Sequence, residues 1–265
     1  MGCQDNFMKI PVLSIDLAGF RFLACLSAVF LASLTLAIGT NAGQDDNQPI
    51  RTRKVIVLDP GHGGHDLGAG KPDDIFEKEV ALIFARLLAE KLKPAYTVLL
   101  TRSDDYEVDL MHRPAVANHL KADLLLSIHT GASKLHNPDG MLIAYYDSQF
   151  RLQDPGAKTT HDTHKKENQL PPWGKSALDH LEKSRHLAKL LKEKILDYDQ
   201  GIRVDIIGMP IVVLEGADEP ALLLEIGYLT NPSDLRKLKS NAALNDYTEI
   251  ISAALDIYFS DRSGL

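Results

Sequence analysis

The chain has 265 residues, of which 45% are hydrophobic and 25% charged, and its formal net charge is −7. These values suit one or two globular domains, and the acidic balance argues against nucleic acid as a partner. Its only cysteines are Cys3 and Cys25.

At the amino end, Lys9 and Arg21 precede an uncharged apolar run from Phe22 to Gly39, and Thr40-Asn41-Ala42 supplies small residues for cleavage. Residues 1–42 therefore predict a secretory signal peptide and a protein that is periplasmic or extracellular. The competing reading is an uncleaved membrane anchor, since about 18 apolar residues lie near the lower limit for spanning a bilayer. Removing residues 1–42 takes away two basic side chains (Lys9, Arg21), two acidic ones (Asp5, Asp16) and both cysteines. The remainder keeps its acidic balance, suits an oxidising compartment, and excludes thiolate catalysis and cysteine-based metal sites.

Residues 43–52 are polar and read as a linker. The run Val55-Ile56-Val57-Leu58 predicts a buried strand ending at Asp59-Pro60-Gly61. From Glu77 to Lys93 the apolar positions Val80, Ile83, Phe84, Leu87, Leu88 and Leu92 keep helical spacing, and Pro94 stops the helix. Further along come a strand over Thr97–Thr101, a helix near Leu110–Leu120, and strands at Leu124–Ile128 and Gly140–Tyr146. Residues 147–174, with Pro155-Gly156 and Pro171-Pro172, read as a long surface loop, a feature more often functional or mobile than passive. A helix over Ser176–Leu196, strands at Ile211–Leu214 and Ala221–Ile226, and a closing helix at Ala242–Phe259 complete the pattern. Alternation of this kind predicts an α/β fold: one domain with a mostly parallel central sheet flanked by helices on both faces.

Enzymes of this class place polar groups at the carboxyl ends of parallel strands. Three such ends stand out here: Asp59-Pro60-Gly61-His62-Gly63-Gly64, Ser127-Ile128-His129 and Leu224-Glu225-Ile226-Gly227. Glu77 opens the first long helix, where the dipole favours a carboxylate whatever its use. Two histidines and one carboxylate from separate elements form the ligand set of a catalytic zinc site that leaves its fourth position to water. Singly, each residue has a plainer reading: His62 in a turn, His129 at a strand end, Glu77 at a helix start, Glu225 as a paired core charge. Glu225 resists that reading most, because Ala-Leu-Leu-Leu-Glu-Ile is too apolar to hold an unpartnered carboxylate.

Taken together, these blocks resemble the zinc-dependent N-acetylmuramoyl-L-alanine amidases of the type-3 amidase family. Val55-Ile-Val-Leu-Asp-Pro-Gly-His-Gly-Gly64 is similar to that family's opening strand, and Glu77-Lys78 to its Glu-Lys signature. Leu100-Thr-Arg102, Ala122-Asp-Leu-Leu-Leu-Ser-Ile-His129 and Pro220-Ala-Leu-Leu-Leu-Glu-Ile-Gly-Tyr-Leu-Thr-Asn231 follow in the family's order, over roughly residues 54–260. The resemblance implies a catalytic domain over 53–261 that binds one Zn²⁺ through His62, Glu77 and His129. It implies Glu225 as catalytic acid/base, a zinc-activated water as nucleophile, and peptidoglycan cut between N-acetylmuramic acid and L-alanine. Two positions depart from the family: Gly131 and Ala81 stand where asparagine is usual. Neither is a proposed ligand, so they bear on fine specificity.

Other features are secondary. His161 and His164 lie in the polar loop with no helix to align them, which disfavours a second metal site. Arg102 and Arg113 either grip carboxylates of the stem peptide or, as the favoured reading, make structural ion pairs. Trp173 either stacks on a sugar or packs the loop onto the body. The loop's prolines and its scarcity of large apolar residues argue against an amphipathic plug, so the sequence itself requires no protein activator. The alternatives to the amidase are another zinc hydrolase of wall material, a peptidase or deacetylase, and a non-catalytic wall-binding domain.

Overall fold

The computed structural model describes residues 53–70, 75–133, 138–148 and 172–261. The expected signal peptide, the linker, residues 149–171 of the long loop, and with them His161 and His164, lie outside the described residues. No helix among the described residues is long and apolar enough to cross a membrane.

A six-stranded sheet forms the centre. Its strands are β1 (Val55–Pro60), β2 (Thr97–Leu100), β3 (Leu124–Gly131), β4 (Met141–Tyr146), β5 (Val204–Met209) and β6 (Ala221–Tyr228), in the order β2-β1-β3-β6-β4-β5. Every ladder is parallel except that between β4 and β6, so β4 and β5 run against the other four. The mostly parallel sheet expected from the alternation of elements is present.

Side chains on a strand alternate between faces, and the core divides accordingly. Ile56, Leu58, Leu124, Leu126 and Ile128 face one layer, where they meet α1 (Glu77–Leu92), α4 (Leu181–Tyr198) and α7 (Asn241–Ser260) through Phe84, Leu88, Leu187, Leu191 and Leu255. The intervening Val57 and Leu125 face a smaller layer with Ala117 of α2 (His112–His119), Ala177 of α3 (Pro172–Asp179), and Val213 and Leu214 of α5 (Val212–Glu215). Each fully buried Leu or Phe contributes about 1.5–3 kcal/mol, which makes the three-helix layer the main source of stability. The remaining helix, α6 (Pro232–Leu238), starts at Asn231, whose side chain caps the amides of Ser233 and Asp234.

Two expectations are corrected, and one helix was not expected. The strand expected at Ile211–Leu214 is the short helix α5, and the edge strand is β5, at Val204–Met209. Four apolar, largely β-branched residues mimic a strand. Pro210 and Gly216 confine them to one turn, which buries Val213 and Leu214 against the smaller layer. The helix expected over Ser176–Leu196 is two helices broken at His180, and the first begins at Pro172, inside the stretch read as loop. Proline suits that start because the first turn has no partner for its missing N–H. Trp173 falls in this first turn. Finally, α6 had no sequence expectation at all.

Candidate metal centre

The carboxyl ends of β1 and β3 are adjacent, with Asp59 opposite Ser127 and Pro60 opposite Ile128. Beyond them the chain turns sharply, and His62 takes a left-handed conformation with φ 59°. That conformation is costly for a residue with a side chain, and the loop is held by groups beneath it. Arg113, buried, pairs with Asp59 at 2.8 Å and donates to the carbonyls of Pro60 and His62 at 2.9 and 3.0 Å. Arg102, with no exposed surface, donates to Pro60, Gly61 and Lys78 at 2.9, 2.7 and 2.8 Å. Asp59 also accepts from Thr101 and Ser127. Both arginines are therefore structural; neither is free to grip a peptide carboxylate.

Gly61 is required by a close approach. A Cβ there would stand 2.3 Å from Cε1 of His129, inside the imidazole. The missing side chain lets the ring of His129 lean over β1 towards His62, to an edge-on contact with ring centroids 5.0 Å apart.

Glu77, at the first position of α1, is 5% exposed and faces both rings. Its Oε1 lies 2.9 Å from His129 Nδ1 and accepts from the Thr130 amide at 3.0 Å. Its Oε2 lies 3.2 Å from His62 Nε2 and accepts from the Ala69 amide at 2.8 Å. Burial alone would raise the Glu77 pKa, but its bonds with His129 and His62 hold it well below the usual carboxylate range. The other nitrogen of His62, Nδ1, is 2.7 Å from Asp66 Oδ2. Although burial opposes it, the contacts with Glu77 and Asp66 raise the His62 pKa. Lys78 anchors the loop from outside, donating to Gly64 O at 2.9 Å and to Asp105 at 2.7 Å.

One ligand atom each from His62, Glu77 and His129 lies within 4.8 Å of the others, the one such trio among the described residues. The donors are two imidazole nitrogens and a carboxylate oxygen, a set that suits Zn²⁺. Asp66 on the far nitrogen of His62 is the partner that orients a metal-binding imidazole. The residues present therefore fit a zinc ion. Asp66 had escaped the sequence reading. Its signal was its place four residues after His62 in a glycine-rich turn, too common an arrangement to single out.

Glu225 sits on β6 directly opposite His129 of β3. Burial pushes its carboxyl pKa up, the charge of Glu77 adds to this, and His129 works against it. Its Oε2 and the ring of Tyr228 occupy the space over Gly131: a Cβ at that position would stand 2.5 Å from the first and 2.3 Å from the second. Asparagine at 131 is thus incompatible with this placement of Tyr228 and Glu225. All four residues singled out from the sequence come to one end of the sheet.

Comparison with known proteins identifies the family. Residues 56–256 match the family described as N-acetylmuramoyl-L-alanine amidase. The chain is 30% identical over 244 residues to N-acetylmuramoyl-L-alanine amidase AmiC of Escherichia coli O6:H1, covering 84% of this chain and 56% of that protein. It is 32% identical over 211 residues to the probable cell wall amidase LytH of Staphylococcus aureus, covering 78% of this chain and 59% of the relative. It therefore spans less than two thirds of these curated relatives. Among solved structures, it is similar to the N-acetylmuramoyl-L-alanine amidase of Clostridium difficile 630, with a TM-score of 0.63 and 27% identity. That match covers 80% of this chain and 99% of the other.

Proposed function

The chain belongs to the N-acetylmuramoyl-L-alanine amidase family, and from that premise we propose that it is an exported, zinc-dependent hydrolase of peptidoglycan. The bond cut is the amide between N-acetylmuramic acid and the L-alanine of the stem peptide. The observation that carries this reading is the convergence of His62, Glu77 and His129 around one point, with Glu225 on the adjoining strand.

In this reading His62, Glu77 and His129 hold the zinc, and Asp66 fixes the ring orientation of His62. A zinc ion there supplies a Lewis acid that acidifies water and polarises the scissile carbonyl. Glu225 takes the proton of the attacking water and passes it to the amine nitrogen of the departing L-alanine, work worth about 10²–10⁴-fold in rate. Gly131, lacking a side chain, leaves room for that carboxylate and for the ring of Tyr228. Buried Arg102 and Arg113 act at one remove, holding the strained turn that presents His62.

The test is mass spectrometry of purified peptidoglycan digested with the zinc-loaded protein. Free stem peptides beginning with L-alanine, together with glycan lacking peptide, are expected. Release of acetate would indicate a deacetylase, and shortened peptides still attached to glycan would indicate a peptidase. Either result in place of free stem peptides overturns the amidase assignment, as does an intact wall.

A further inference from the structure

A cavity of about 360 Å³ lies at the end of the sheet opposite His62 and His129. It is lined by the residues that lead into three parallel strands: Lys54 before β1, Asp123 before β3 and Glu219 before β6. Helix α4 and the residue before it contribute Lys183 and His180, and the end of α7 contributes the rings of Tyr258 and Phe259.

Two polar atoms of this lining are left without partners. Glu219 is 3% exposed, and its Oε1 has no hydrogen-bond partner; nor has the buried Nδ1 of His180. Buried polar atoms are nearly always paired, so two orphans in one cavity call for an explanation. Neither lysine of the lining supplies it: Lys54 is committed to Asp123 at 2.7 Å and lies over the Phe259 ring, 5.9 Å from its centroid, and Lys183 does not reach Glu219 Oε1. Burial pushes the Glu219 carboxyl up to about 8, as expected of an acid that no lysine or arginine neutralises. The carboxylates of the lining, Asp123, Asp218, Glu219 and Asp261, outnumber the ammonium groups of Lys54 and Lys183. What the cavity lacks is a compact cation with several N–H donors, and a primary ammonium has three.

We propose that this cavity binds the primary ammonium group of a small organic amine, with Oε1 of the Glu219 carboxyl group and His180 Nδ1 as its acceptors and the Tyr258 and Phe259 rings as apolar walls. A neutral imidazole protonated on Nε2 accepts at Nδ1, and aromatic faces favour a cation beside them. The site is separated from the proposed hydrolytic centre by the length of the parallel strands, so it is a distinct binding site. It does not depend on the amidase reading.

The experiment is a titration of the ¹⁵N-labelled full chain with cadaverine (1,5-diaminopentane), followed by amide chemical shifts, with pentanoate as the anionic control. Saturable shifts at His180, Asp218, Glu219 and Ala221 are expected, with pentanoate inert. Glu219→Gln should weaken cadaverine binding at least tenfold, and His180→Ala should weaken it independently, while the spectrum around His62 and the wall-hydrolysing rate stay unchanged. The proposal fails if cadaverine gives no saturable shift by about 10 mM. It fails equally if binding survives both substitutions, or if pentanoate binds and Lys183→Ala abolishes that binding.

Discussion

Arg102 and Arg113 donate to the same acceptor, the carbonyl oxygen of Pro60, each at 2.9 Å. Between them they also take the carbonyls of Gly61 and His62, so three successive peptide units are fixed from below by two buried guanidinium groups. A carbonyl cradle of this kind needs planar, many-donor cations; lysine at either position offers a point charge and too few directed donors.

Removing one of the two should therefore cost stability and metal affinity together. Arg113→Met leaves Asp59 buried without its ionic partner, a loss of about 3–5 kcal/mol, which corresponds to a melting temperature lower by about 10 °C in a domain of this size. The double variant Asp59→Asn, Arg113→Met should recover part of that loss, since no unpaired charge remains. Calorimetry on the four forms checks this. Additive losses would show that the pair is not coupled.

Metal analysis should return close to one zinc per chain, most of it lost in His129→Ala and in His62→Ala. Asp66→Asn should keep the fold but weaken zinc binding by about 10–100-fold, because the His62 ring loses the partner that orients it. Competition against a chromophoric chelator measures this. Full retention of zinc by both histidine variants would remove the ligand assignment.

Glu225→Gln preserves shape and removes the basic oxygen. It should retain zinc and lower kcat by about 10²–10⁴-fold, with little change in KM. Gly131→Asn should impair kcat in a different way: the new side chain collides with Tyr228 and with Glu225 itself. Steady-state kinetics on soluble wall fragments separates the two. A fully active Gly131→Asn would mean that Tyr228 and Glu225 relocate without penalty.

The folded protein holds the proton of Glu219 up to about pH 8, against an ordinary value of 4.5. Between these limits the unfolded chain has released that proton and the folded one has not, so stability falls as pH rises through the interval. Glu219→Gln removes this loss. The melting temperature of the variant should gain on that of the unaltered protein from pH 5 to pH 9, by about 5 °C or more. A constant difference across the range would show that Glu219 titrates normally.

Much of this architecture was legible in the residues, and the reason is periodicity. Strands buried on both faces read as unbroken apolar runs, as in Val55–Leu58 and Leu124–Leu126. Glycines, histidines and carboxylates stand out against such runs at their ends. Where the local signal was ambiguous, tertiary context decided: Ile211–Leu214 has strand composition, but it lies between Pro210 and Gly216 and packs as a helical turn. Long-range pairings were not legible. Nothing local joins Arg113 to Asp59, or Tyr228 to the space over Gly131, because each depends on which elements become neighbours. The antiparallel entry of β4 beside β6 was likewise beyond any local pattern.

Strand β6 occupies the middle of the sheet, between β3 and β4, yet it is the last strand in the chain. The order in which the site can mature follows from this. His62, Glu77 and His129 all lie within or between the first three strands, so a chain emerging from its amino end can gather these side chains early. Glu225 arrives only when β6 inserts between two strands already made, a pairing of high sequence separation and correspondingly slow closure. A partly folded chain can thus bring His62, Glu77 and His129 together before Glu225 is in place. Glu225 is thus the last of the four polar residues at this end of the sheet to be placed.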